Sequence, residues 1–247
     1  MEISWLAAFA DVPEPRVDTA LGFWAAVTGS SPGEPAGDRD QYLPLTGEGE
    51  DAYLWVQRVH SPGQESGWHP DLYVSDPAVA ARQACDLGAT VAREVTNLVV
   101  LSSPAGQPFC FMRHEDERRR GRPRRWPAGQ HSLFDQLCLD VPAAAFDTER
   151  EFWASLTGWS QRRASAEFVN LTRPGHLPLR ILLQRLGSDD SGPARAHADL
   201  ACDDRPAEVD RHVGLGAEVV RVAEHWTTLT DPAGLLYCVT DRDPFRD

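Results

Sequence analysis

The amino-acid sequence predicts an α+β protein made by tandem duplication, and three observations carry that prediction. Gly22-Phe23-Trp24-Ala25-Ala26-Val27-Thr28-Gly29 returns, 129 residues later, as Glu151-Phe152-Trp153-Ala154-Ser155-Leu156-Thr157-Gly158. His69-Pro70-Asp71-Leu72 returns 128 residues later as His197-Ala198-Asp199-Leu200. Leu87-Gly88-Ala89, Pro104-Ala105-Gly106 and Cys110 return at the same offset as Leu215-Gly216-Ala217, Pro232-Ala233-Gly234 and Cys238. Landmarks that keep one order and nearly one spacing are the signature of an internal repeat. The expected organisation is one domain over 1–114, a linker over 115–130 and a second domain over 131–247.

Each repeat reads as strand, helix, two or three strands, and then the same again, so as two βαβββ-like modules. In the first repeat the helices are expected around Val17 to Val27 and Pro77 to Leu87. In the second, Ser132 to Asp140 alternates apolar and polar residues, as a half-buried strand does. Glu149 to Leu156 puts Phe152, Trp153 and Leu156 on one helical stripe, stopped by Gly158. Arg180 to Leu186 is a strand with almost no polar face, expected to be covered on both sides. His197 to Cys202 gives the next strand, and Asp203-Asp204 can cap a helix running through Val209, His212 and Val213. Strands over Glu218 to Val222 and Trp226 to Thr230 precede the Asp231-Pro232-Ala233-Gly234 turn, and Leu235 to Thr240 completes the repeat.

Seven of the 24 basic residues fall between Arg113 and Pro127, a stretch broken by Gly and Pro and without apolar periodicity. That composition predicts a connection whose arginines lie over the acidic surface of their own domains, or meet an anionic partner. The whole chain of 247 residues carries a net charge of −13, and every basic residue is arginine. Such acidity disfavours nucleic acid, which demands a basic footprint. It favours cationic ligands, and it also serves solubility alone. No apolar stretch approaches the roughly 18 residues of a membrane span, and five cysteines without a Cys-x-x-Cys pair do not form a disulfide framework. A cytoplasmic protein without membrane or nucleic-acid partners, monomer or homodimer, is the expectation.

With its Phe-Trp first helix, His-x-Asp-Leu strand and Pro-Ala-Gly turn before the last strand, the chain resembles the vicinal-oxygen-chelate superfamily. This is the group of glyoxalases, bleomycin-resistance proteins and extradiol dioxygenases, and the chain looks most like its glyoxalase-like members. The resemblance implies two domains, each a curved, mostly antiparallel half-barrel of eight strands whose concave face holds the cavity. In metal-dependent relatives four side chains on that face, usually His, Gln or Glu, hold a divalent ion. The corresponding places in the second repeat fall on Gln136, Gln184, His197 and Cys238, and in the first on Ala7, Gln57, His69 and Cys110. Carboxylate ligands are missing from both sets, so no metal or other cofactor is expected. If a divalent metal binds, Gln136, Gln184, His197 and Cys238 would suit zinc.

His69 with Asp71, and His197 with Asp199, are the candidate catalytic residues. Residues two apart share a strand face, and a carboxylate beside an imidazole raises its basicity and orients it. Equally, both pairs can serve the fold by satisfying a strand end. Cys110 and Cys238 can be ligand-facing or ordinary apolar packing. Trp55 and Tyr73 in the first repeat and Trp226 in the second are aromatics expected to line pockets for an aromatic or cationic small molecule, whereas Phe23-Trp24 and Phe152-Trp153 belong to the core. Function is therefore expected to be small-molecule binding in a concave cavity without the usual metal centre. The alternative is a lyase, isomerase or dioxygenase, metal-dependent or based on the His–Asp pairs.

Overall fold

The structure, a computed structural model, describes residues 1–60, 66–114 and 118–246. The linker residues 115–117 and the terminal residue 247 of the expected domain boundaries lie outside the described residues. Seventeen strands and four α-helices are described. In the first repeat these are β1 (Trp5–Pro13), α1 (Val17–Thr28), β2 (Ser31–Pro32), β3 (Tyr42–Thr46), β4 (Leu54–Val59), β5 (Gly67–Val74), α2 (Pro77–Asp86), β6 (Thr90–Val95), β7 (Leu98–Ser102) and β8 (Pro108–Arg113). A short strand in the linker, β9 (Arg124–Arg125), pairs with the start of the next strand. The second repeat follows with β10 (His131–Val141), α3 (Phe146–Thr157), β11 (Ser160–Arg163), β12 (Phe168–Thr172), β13 (Arg180–Arg185), β14 (Arg195–Cys202), α4 (Arg205–Gly214), β15 (Glu218–Val222), β16 (Trp226–Thr230) and β17 (Leu236–Thr240).

The strands form two open, mixed sheets, in the orders β2-β3-β4-β1-β5-β8-β7-β6 and β11-β12-β13-β10-β14-β17-β16-β15. The α+β duplication expected from the sequence is what is found. Parallel pairing occurs between β5 and β8 and between β14 and β17, and these pairs set the register that matters most: Asp71 lies opposite Cys110, and Asp199 opposite Cys238.

Two compact units are present, and they do not follow the sequence repeat. One comprises Met1–Ala8, His69–Arg118 and Leu137–Ala196, and the other Phe9–Trp68, Arg119–Gln136 and His197–Asp247. The first unit thus joins the α2 module of the first repeat to the α3 module of the second. The second unit joins the α1 and α4 modules.

Helices α1 and α3 are sequence-equivalent and bury equivalent positions. Val17, Ala20, Phe23, Trp24 and Val27 face inward on α1, and Phe146, Glu149, Phe152, Trp153 and Leu156 on α3. Each ends at a glycine in the left-handed region, Gly29 at φ 64° and Gly158 at φ 70°, where a side chain would be strained. In the first unit Phe109 of β8 packs edge-on against Phe152 and Trp153, with centroids 5.9 and 5.2 Å apart. In the second unit Trp24 meets Trp68, Phe134 and Tyr237 at 5.0, 6.2 and 5.2 Å. Aromatic side chains of this size dominate the hydrophobic driving force, at about 3–5 kcal/mol lost per truncation to alanine.

Helices α2 and α4 start alike. Asp76 accepts from the Val79 amide at 3.0 Å and Asp204 from the Ala207 amide at 3.1 Å, satisfying one of the free N–H groups of each first turn. Of the residues named for α4, His212 is buried, Val209 is half-buried and Val213 is exposed, and Glu208 joins His212 on the buried stripe. The charged groups tolerate burial because they are paired. Arg211 contacts Glu208 at 2.6 Å, Gln130 donates to Glu208 at 3.1 Å, and His212 lies 3.1 Å from the Tyr237 hydroxyl. Strand β13 also departs, with Ile181 and Leu183 buried but Leu182 only half-buried, so one face is less covered than its apolar sequence suggests.

The linker is tied down in the second unit. Asp51 and Arg119 exchange backbone and side-chain bonds at 2.9 and 2.8 Å, and Arg124 approaches Glu50 at 3.5 Å. Of its arginines, Arg124 thus lies beside an acidic side chain, whereas Arg118 covers the rings of Trp5 and Tyr73.

Candidate functional site

Strand alternation divides the candidate residues between two faces. On β8, Phe109 and Phe111 turn toward the helix, so Cys110 occupies the opposite face with its register partner Asp71. On β5 that face also carries His69 and Tyr73, two residues to either side of Asp71. The same logic on β17 turns Tyr237 toward α1 and places Cys238 with Asp199 on the face away from the helices.

In the first unit His69, Asp71 and Cys110 converge. All three are buried, and their nitrogen, oxygen and sulfur ligand atoms lie within 4.8 Å of one another. His69 Nε2 is 3.4 Å from Asp71 Oδ1, too long for a good hydrogen bond. That carboxylate oxygen is buried without a hydrogen-bond partner. A buried, unpaired carboxylate oxygen costs several kcal/mol unless something completes it (about 1–3 kcal/mol for a neutral group and more for a charged one). Burial, reinforced by the Asp71 carboxylate, pushes the Cys110 thiol up to about 12. Next along the face, Tyr73 is buried, and the Arg118 guanidinium stands 4.9 Å above its ring and 5.9 Å from the ring of Trp5. Burial and the neighbouring Asp71 push its phenol well above the usual tyrosine range.

In the second unit His197 Nε2 is 3.3 Å from Asp199 Oδ1, repeating the first pair. Here the carboxylate is engaged, because the Gln136 side-chain amide donates to Asp199 Oδ2 at 2.5 Å. Ala7 occupies the place of Gln136 in the first repeat, and its methyl group can make no such bond. Cys238 lies 3.5 Å from the Thr228 hydroxyl.

The remaining candidates are spread. Gln184 donates to Glu167 at 2.8 Å and accepts weakly from Cys138 at 3.9 Å. Gln57 sits on β4 opposite Tyr42. Trp55 stacks on Phe9 with centroids 5.5 Å apart, its indole nitrogen buried and unpaired. Tyr53, of the same parity, instead stacks on Phe134 at 6.0 Å. Trp226 is half-buried at the start of β16, opposite Thr240. Sequence reasoning missed Arg118, Cys138 and Glu167. Their partners are set by packing, and no spacing rule places Arg118 over Tyr73.

Comparison with known proteins agrees with the fold. The profile of the Glyoxalase-like domain family matches residues 7–112 and again 136–240. None of the curated proteins matches the chain. Among solved structures, the Mn(II)-bound glyoxalase from Novosphingobium aromaticivorans is similar with a TM-score of 0.65 at 17% identity, covering 97% of this chain and 82% of that one. A triple mutant of 4-hydroxymandelate synthase from Streptomyces coelicolor gives 0.66 at 14%, covering 100% and 95%. The 2,2',3-trihydroxybiphenyl 1,2-dioxygenase from Sphingomonas wittichii gives 0.63 at 12%, covering 97% and 90%. At these identities the likeness concerns the fold. Among the described residues no helix is long and apolar enough to cross a membrane.

Proposed function

The chain belongs to the glyoxalase-like domain family of the vicinal-oxygen-chelate superfamily, and we propose that it binds a small molecule on the sheet face opposite the helices, centred on His69, Asp71 and Cys110. The observation that carries this reading is Asp71 Oδ1, a buried acceptor on that face with no hydrogen-bond partner. Buried polar groups are almost always satisfied, so a ligand with a cationic centre or an N–H or O–H donor is what this oxygen calls for. The net charge of −13 favours the same ligands at long range. Tyr73 and Trp5 next to the carboxylate are buried beneath the Arg118 guanidinium.

The hard-metal centre implied by a Mn(II)-bound relative does not fit the residues present at the family's positions. Ala7 has no donor atom, and Gln136 and Gln184, whose NH2 groups donate to Asp199 and Glu167, offer neutral amide oxygens where a carboxylate would supply charge. Oxygen-rich coordination is what Mn(II) prefers. No step of this reading is routed through such an ion.

A second, catalytic reading is supported by one observation: Gln136 fixes Asp199 on the side away from His197, which holds the carboxylate in place to orient the imidazole. His197 would then take or deliver a proton on a bound substrate.

The test is a tryptophan-fluorescence titration with a cationic aromatic probe, an acridinium dye, on the full chain. Saturable quenching is expected, weakened at least tenfold in Asp71→Asn and His69→Ala while their thermal midpoints and circular dichroism stay near wild type. Quenching that does not saturate, or that both substitutions leave untouched, would remove the site from this face.

A further inference from the structure

We infer that β15, the last strand of the second sheet, pairs antiparallel with β15 of a second copy of this chain to make a twofold-symmetric dimer. The contact is a sheet edge, and it does not depend on the small-molecule site. Three observations carry it.

The edge is bare and apolar. Among the described residues β15 has β16 as its strand partner on one side and none on the other. All five of its residues are exposed, with Val219, Val220 and Val222 at 46%, 58% and 69%. Such an edge is a template for a further strand, and proteins ordinarily blunt it with charge. Val213 and Leu215, just ahead of β15, are exposed as well. From Val213 to Ala223 the chain holds one Glu and one Arg, so this patch is neutral on a protein of net charge −13. Two copies repel each other least when they meet through it.

The second observation is charge complementarity of the strand with itself. Glu218 lies opposite Thr230 and Arg221 opposite Thr228, so the bulge at Val220 leaves these two charges on one face. Val219 and Val222, opposite Leu229 and Thr227, take the other face. Setting Glu218 against the partner's Arg221 puts Val219 against the partner's Val220, and the twofold axis repeats both contacts. Two Glu–Arg pairs then line one face of the joined edges, and valines line the other. Among the described residues neither Glu218 nor Arg221 has an ion-pair partner within its own chain. Isologous contacts demand self-complementarity of this kind.

The third is the contrast with the first repeat. Its equivalent strand, β6, has the same irregularity between Val91 and Arg93 but lacks the match. Thr90 stands in the place of Glu218, so Arg93 would meet no anion across a twofold axis. Glu94 stands in the place of Val222, on the face of Val91, and interrupts the apolar stripe with a charge. One edge is guarded against pairing, and the other is fitted for it.

Sedimentation equilibrium of the full chain across the micromolar range is expected to show a reversible monomer–dimer equilibrium. Val220→Lys, Glu218→Arg and Arg221→Glu should each raise the dimer dissociation constant at least tenfold. Their circular dichroism should match wild type, because all three side chains are exposed. An equimolar mixture of the Glu218→Arg and Arg221→Glu chains should recover the dimer, since each then supplies the charges the other lacks. Thr90→Arg and Glu94→Lys in β6 should change nothing. A wild-type chain that stays monomeric throughout overturns the inference. So does a dimer indifferent to the β15 variants, a dimer lost with the β6 variants, or a mixture that fails to associate.

Discussion

The indole N–H of Trp24 donates to the Asp231 carboxylate at 2.9 Å, across 207 residues of chain. Its counterpart in the other unit is built from the opposite side. There Trp153 donates to Glu149, one turn earlier on its own helix, at 2.7 Å, and Glu149 also takes the Ala105 amide at 2.9 Å. Glu149 occupies the helix position of Ala20, while Asp231 occupies the turn position of Ser103. Each helix–turn pair therefore has one buried carboxylate, supplied by the turn in one unit and by the helix in the other. Burial pushes both carboxyls up from their usual range, and the hydrogen bonds to each work against that rise.

Trp24→Phe and Trp153→Phe should each destabilise the protein by about 1–3 kcal/mol at neutral pH, because a buried carboxylate loses a donor. Protonation removes the charge that needs the donor. The penalty is therefore expected to shrink as pH falls through the raised folded-state value of each carboxyl. Urea denaturation at a series of pH values checks this. A penalty that grows toward acid would contradict the pairing.

His212 is buried, and burial, helped by the Arg211 charge, holds its imidazole below the usual range despite the pull of Glu208. A histidine whose folded value lies below the unfolded one favours folding most above the unfolded value, about 6.5, and loses that contribution as pH drops beneath it. The difference in thermal midpoint between wild type and His212→Asn should be largest near pH 7.5 and narrow toward pH 5. Calorimetry across that range reads it, and a gap independent of pH would show that the ring titrates alike folded and unfolded.

Gly29 and Gly158 separate backbone strain from crowding. Both adopt positive φ, but a methyl at Gly29 would meet Trp126 Cη2 at 3.1 Å, whereas one at Gly158 has open space. Gly158→Ala should cost about 1–2 kcal/mol from the left-handed conformation alone. Gly29→Ala should cost more, since Trp126 is pinned by its own bond to Ser132 at 2.8 Å and by Arg211 stacked 3.6 Å above it. Equal losses in denaturant titrations would rule the crowding out.

The repeat offsets, the Phe-Trp helices and the alternation of β5, β8, β14 and β17 were readable from spacing because they are local. Alternation also puts Cys110 on the face opposite its aromatic neighbours Phe109 and Phe111. What spacing could not show is which module packs on which. The partners of Trp24 and Arg211 lie up to 207 residues away, and Arg211 holds the Ala26 and Val27 carbonyls at 3.1 and 2.8 Å. Nor could it show that Glu208 would join His212 on the inward stripe of α4 while Val213 stays exposed. A polar side chain becomes a core residue only once its hydrogen-bond partners are known.

Cutting the polypeptide in its arginine-rich connection would not release two self-sufficient pieces. Each fragment would carry half of one core and half of the other, and the wounds would close only if the two fragments mated. A drift in one copy, such as an acid gained or lost beneath an indole, has to be answered in the other.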